Sequence, residues 1–156
     1  MGIWQLRLDA IADESKPMTA LNRRLGMGRM KSWRPGFVAK EWLVEPSFCT
    51  ADGTPAQALF GGYIGVLADQ VMSWVVMSVL EDDHYFRTSN LQLNFFRVIP
   101  AGLVKIEGRI VNRSSRIIHS AADFYREDGL LAANATAIQV LVPMSAGVRE
   151  AVESSQ

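Results

Sequence analysis

Two glycines and one carboxylate stand where they can do chemistry. Gly61-Gly62 follows Phe60, and Asp69 is the only charged residue between Ala58 and Leu80. In a helix starting there, the first-turn N–H groups have no partner inside the helix. With the helix dipole they favour an anion or a developing oxyanion. Glycine lets a ligand come close to that backbone, and it equally lets a helix pack tightly on a sheet. Helical spacing puts Gly62, Gly65, Asp69 and Ser73 on one narrow stripe, with Leu67, Val71, Trp74 and Val75 on other faces. A carboxylate in an apolar helix has a raised pKa unless it is paired or wet. Such a group serves as general base or nucleophile. The plainer alternative is a structural carboxylate bonded to backbone or to Ser73.

Spacing adds a constraint. Asp69 lies eight residues after Gly61, which is about 12 Å along a helix axis. One helix cannot present both its N-terminal amides and Asp69 to the same carbonyl. If both act on one substrate, they come from two subunits whose helices run antiparallel across a two-fold axis.

The elements that position these residues follow from pattern. Residues 1–35 read as a helical appendage, with Ser15-Lys16-Pro17 opening a short helix that Gly26 and Gly28 end. Phe37–Glu45 reads as a strand stopping before Pro46, and residues 46–59 as a loop. A long apolar helix runs from about Gly61 to Leu80. Strands follow at 90–98, 103–111, 116–126 and 130–142, joined by short turns, and residues 144–156 form a tail. Short turns make the strands antiparallel. A helix that is apolar nearly all round must be wrapped, so a five-stranded antiparallel sheet is expected to curl around it in one α+β domain over 36–143.

Composition sets the outer limits. Hydrophobic residues are 49% and charged residues 21%, a globular balance. Lys+Arg and Asp+Glu are 16 each, so the basic excess of a non-specific nucleic-acid binder is missing. A single cysteine, Cys49, excludes an intrachain disulfide framework and a multi-Cys zinc site, and fits a reduced, cytoplasmic setting. The first residues carry acids where a secretory signal needs an apolar stretch. Leu6 stands where myristoylation wants Ser or Thr. Ala58–Leu80 approaches bilayer length, but Asp69 near its centre and the lack of flanking Lys or Arg favour a helix buried in a core over a membrane span.

Phe60-Gly61-Gly62, followed by Asp69, resembles the His-Gly-Gly…Asp/Glu signature of hotdog-fold acyl-CoA thioesterases, nearest the phenylacetate-pathway and 4-hydroxybenzoyl-CoA types. The resemblance runs from about Phe37 to Val142 and includes the strand at 90–100, Arg113–Arg116 at a hairpin, and the ending REDGLLAANATAIQVLVP. It implies a sheet wrapped on one helix, paired into homodimers and often tetramers. It also implies hydrolysis of an acyl-CoA to free acid and CoA, without metal or redox cofactor. Gly61 matches the glycine whose N–H polarises the thioester carbonyl. Asp69 matches the acid that attacks that carbonyl or activates water, and Ser73 a hydroxyl that orients water or acid. Asn90 matches a polar position on the next strand, and Arg113 and Arg116 lie where family members meet the nucleotide phosphates.

Two departures stand out. Phe60 replaces the usual His, as in the FGG of double-hotdog thioesterases, which removes any hydrogen bond from that side chain and leaves Phe60 and Gly62 as substrate-binding positions. The family's Asn or Gln before the glycines falls in a lengthened loop, where Thr50, Thr54 or Gln57 can supply it; Gln57 is chemically nearest. Ser73 stands where hotdog hydratases carry His, which argues against hydratase chemistry. His119 reads as structural and Cys49 as an incidental thiol. The rival to a thioesterase is a non-catalytic acyl-CoA or lipid-binding hotdog protein. Asp69 argues against it, because a purely apolar acyl tunnel has no need of a carboxylate.

Overall fold

The computed structural model describes residues 1–51, 54 and 56–154. Helix α1 spans Ile3–Ala12 and α2 Ala20–Leu25. Strands β1 (Ser32–Arg34) and β2 (Phe37–Val44) follow, then a 3-10 turn at Pro46–Phe48. Two short strands, β3 (Cys49–Thr50) and β4 (Ala58–Leu59), lead into α3 (Gly61–Met77). After it come β5 (His84–Phe95), β6 (Gly102–Arg113), β7 (Ile117–Tyr125), β8 (Leu131–Pro143) and α4 (Ala146–Glu153).

The main sheet is antiparallel, in the order β1-β2-β6-β7-β8-β5. It has six strands rather than five, because Ser32–Arg34 folds back on Phe37–Ala39 across a turn at Gly36 and adds a short edge. Alternation drives the burial: along β2 every second residue from Val38 to Val44 points into the core. Helix α3 lies across the sheet, with Leu67, Ala68, Val71 and Val75 in one cluster with Val38, Val104, Ile106 and Phe124. Gly108 on β6 permits the approach, since a Cβ there would sit 2.6 Å from Val71 Cγ1 and Val75 Cγ2.

Several boundaries differ from the sequence expectation. α3 stops at Met77 rather than Leu80, and the Gln5 side chain donates to the carbonyls of Met77 and Leu80 beyond it. β5 begins six residues before Asn90. Its outer side is an open edge, so Arg87–Asn90 are exposed and the apolar alternation that marks β6 is lost. Ser15 bonds Asp13 instead of capping a helix; Thr19 caps α2, and Gly26 ends it in the left-handed region at φ 61°. Residues 1–30 are tied to the core: Leu8 is fully buried, and the Trp4 indole donates to the His84 carbonyl. Among the described residues no helix is long and apolar enough to cross a membrane.

Candidate active site

The expectation of a helix buried nearly all round fails along one stripe. Gly62 and Asp69 are exposed, and Gly65, Val66, Gln70, Ser73 and Met77 are half-buried. The sheet covers only one side of α3, and β5 ends that cover as a free edge. Asp69 Oδ1 accepts a 3.4 Å hydrogen bond from the Thr88 hydroxyl on β5. Asp69, Gln70 and Ser73 line a cleft of about 870 Å³, together with residues of α1, α2 and the segments after them.

The entry to α3 is fixed by its neighbours. Leu59 N–H donates to the Ile99 carbonyl at 2.7 Å and Phe60 N–H to the Phe48 carbonyl at 3.0 Å. Phe60 is the N-cap residue without a side-chain capping bond, and its ring is 58% exposed. The glycines divide by purpose. A Cβ on Gly65 would sit 3.2 Å from Leu93 Cδ1, a tight contact that the leucine would have to yield to. A Cβ on Gly61 would meet Phe95 at an ordinary 3.4 Å, so packing does not demand it.

The structure brings Asp69 and Ser73 to one cleft and leaves Gly61, Gly62, Phe60 and Gln57 at the other end of the helix wall. Within one chain the start of α3 lies roughly 12 Å along the axis from Asp69, and Gly61 and Gly62 do not line the Asp69 cleft. Of the three loop candidates, the Thr50 hydroxyl donates to the Ala58 carbonyl and that of Thr54 to the Ala51 carbonyl. Gln57 is half-buried, directly before β4. Asn90 is exposed on β5, just past a bulge between Thr88 and Asn90.

Arg113 and Arg116 lie at the β6–β7 turn. Arg113 donates to the Val79 carbonyl at 2.8 Å and pairs with Glu81 at 3.1 Å, beyond the C-terminal end of α3. The Arg116 side chain is exposed. His119 is exposed on β7, and Cys49 Sγ lies 3.7 Å from the Glu45 carbonyl. Among the described residues Glu81, Asp83 and His84 bring ligand atoms within 4.8 Å of one another, but Glu81 is paired with Arg113 and Asp83 with His84.

Sequence reasoning missed Gln70 and Thr88. Gln70 Oε1 is buried without a hydrogen-bond partner. Its signal was its place beside Asp69, one turn before Trp74. Thr88 had none, since only the pairing of β5 brings it to Asp69.

The thioesterase superfamily model matches residues 56–133, which are 78 of the 156 residues. A phenylacetic acid degradation-related protein from Ralstonia eutropha JMP134 is 25% identical, with a TM-score of 0.72 over 89% of this chain and 99% of that one. A hypothetical thioesterase protein from Streptococcus pneumoniae TIGR4, solved with coenzyme A, is 20% identical, with a TM-score of 0.65 over 76% and 88%. A protein from Streptococcus mutans UA159, solved with acetyl-CoA, is 22% identical, with a TM-score of 0.64 over 73% and 87%. No curated protein matches in sequence. A sheet wrapped on one long helix, a glycine pair at the start of that helix and this match over half the chain lead to one conclusion: the chain belongs to the thioesterase superfamily.

Proposed function

We propose that the protein hydrolyses the thioester of an acyl-CoA, in a site shared by two subunits. The observation that carries the reading is Asp69: a carboxylate in the middle of an apolar helix, exposed and lining one cleft with Ser73. The thioester oxygen accepts a hydrogen bond from Gly61 N–H at the start of one subunit's α3, beside Phe60 and Gly62, with Gln57 as a second donor. Asp69 of the partner subunit takes a proton from water as the water oxygen bonds to the carbonyl carbon, or its own oxygen makes that bond first and water then cleaves the anhydride. The C–S bond breaks, and CoA leaves as the thiolate. Ser73 orients the water or the carboxylate. Asn90 lines the substrate path, and Arg113 and Arg116 meet the nucleotide phosphates. The unpaired edge of β5, twelve residues long, supports a dimer formed by a second copy of the same strand.

The test is release of free thiol from a panel of acyl-CoAs. Asp69→Asn is expected to keep the fold and lower turnover at least about a hundredfold, the scale for losing a base or nucleophile. Near-wild-type turnover in a folded variant removes Asp69 from the mechanism. Absence of turnover by the wild type on the whole panel leaves a non-catalytic acyl-CoA-binding protein.

A further inference from the structure

The cleft at Asp69 has a second wall, and that wall is built from the segment before the first strand. Met18, Leu21 and Leu25 line it, with Ile11 of α1, and Trp74 and Met77 of α3 lie in the same cleft. Leu21 and Leu25 are four apart on α2, on one face, and remain 62% and 36% exposed. Arg7, Lys16 and Arg29 line the cleft as well, so its wall is mixed, and the leucine pair with Met18 and Ile11 forms the apolar part of it, which calls for an apolar occupant.

The wall is held in place by its backbone. Lys40 Nζ donates to the carbonyls of Met27 at 2.5 Å and Arg29 at 3.1 Å. Trp42 Nε1 donates to the Gly26 carbonyl at 2.8 Å, and the Tyr63 hydroxyl to the Leu25 carbonyl. The Arg29 guanidinium donates to the Ile11 carbonyl at 2.9 Å and to that of Lys16. Side chains of β2 and α3 thus hold the loop that carries α2. Its volume of about 870 Å³ far exceeds what a two-carbon acetyl group fills, and lies in the range of roughly 300–1,000 Å³ that takes drug-sized ligands.

We infer that residues 11–25 are the acyl-selecting wall of this site, and that it takes the hydrocarbon part of a medium-length or longer apolar acyl group. This rests on the placement of the thioester carbonyl at Asp69 proposed above: an acyl chain attached there runs along Ser73 into the cleft. Full burial of a methylene is worth about fourfold in affinity, so selection by length is steep. The methionines of the lining, Met18, Met27 and Met77, adapt to chains of different shape.

The experiment compares butanoyl-, octanoyl- and dodecanoyl-CoA on the full-length protein. Wild type is expected to show kcat/KM rising at least tenfold from butanoyl to the preferred longer chain. Leu21→Glu and Leu25→Trp are each expected to cut the ratio of longer to butanoyl substrate at least tenfold. Leu21 is mostly exposed, so Leu21→Glu tests the wall even where Leu25→Trp fails to fold. A flat wild-type profile, or ratios unchanged in the folded variants, overturns the acyl wall while hydrolysis stands. An equal loss on all chains, matched by weaker binding of CoA alone, overturns it too and assigns the cleft to the nucleotide. Calorimetric titration of the same thioesters into Asp69→Asn separates the two readings. Length-dependent binding that Leu21→Glu abolishes, with no hydrolysis by the wild type, keeps the wall and discards the thioesterase reading.

Discussion

Lys40 is the least exposed charged residue described, at 1% on β2. Its ammonium has two carbonyls and the Trp74 ring, 5.0 Å away, for company. Burial pulls its pKa down to about 7, from an ordinary lysine value of 10.5. The folded value lies below the unfolded one, so between pH about 7 and 10.5 the unfolded chain binds more protons. Stability therefore rises with pH through that window, by at most about 1.4 kcal/mol per pH unit, and the burden of the buried charge is full below it. Lys40→Met removes the titration. Urea unfolding at pH 7.5 and 9.5 is expected to show a rising midpoint for the wild type and a flatter one for the variant. Equal slopes mean that Lys40 does not titrate in that range. Asp69 was legible in the sequence because a lone charge in an apolar run is conspicuous. Lys40 was not, because KEW inside an alternating strand reads like any edge, and only the fold shows which side faces the wall loop.

At the scale of elements, the strands with clear alternation were legible, β6 and β8 almost to the residue. The open edge of β5 and the division of residues 1–30 into two helices were not. Neither is set by local period: one depends on what lies beside the strand, the other on where the carbonyls of a loop find donors. The contact of α3 with β6 is a tertiary property of the same kind. Gly108 faces Val71 and Val75, whose branched side chains are stiff in a helix. Gly108→Ala is expected to destabilise by about 1–3 kcal/mol through overpacking. The check is a lower urea midpoint at unchanged slope; an unchanged midpoint means that helix and strand do not sit this close.

For the whole molecule, eight helical residues separate Gly61 from Asp69, so a substrate served by both calls for two subunits. The proposed division of the site is tested by mixing two inactive variants. Gly61→Pro deletes the amide donor. Phe60, at φ −59° and ψ 125°, already has the extended geometry a following proline wants, and proline fits the first turn. Asp69→Asn deletes the carboxylate. Unfolded together and reassembled, the pair is expected to recover up to about one quarter of wild-type activity, from mixed dimers with one intact site. A mixture as inactive as its parents, with subunit exchange confirmed by native mass spectrometry, refutes the shared site.

The free edge of β5 carries a consequence for cells as well as for test tubes. Twelve residues of unpaired strand are a template for whatever strand arrives first. If the rightful occupant is a second copy, abundance itself becomes a control: below the dissociation constant a chain holds two half-sites and no whole one, and specific activity falls by mass action. Newly made chains are then both silent and sticky until they find one another, so scarcity lowers activity and raises the hazard of aggregation together.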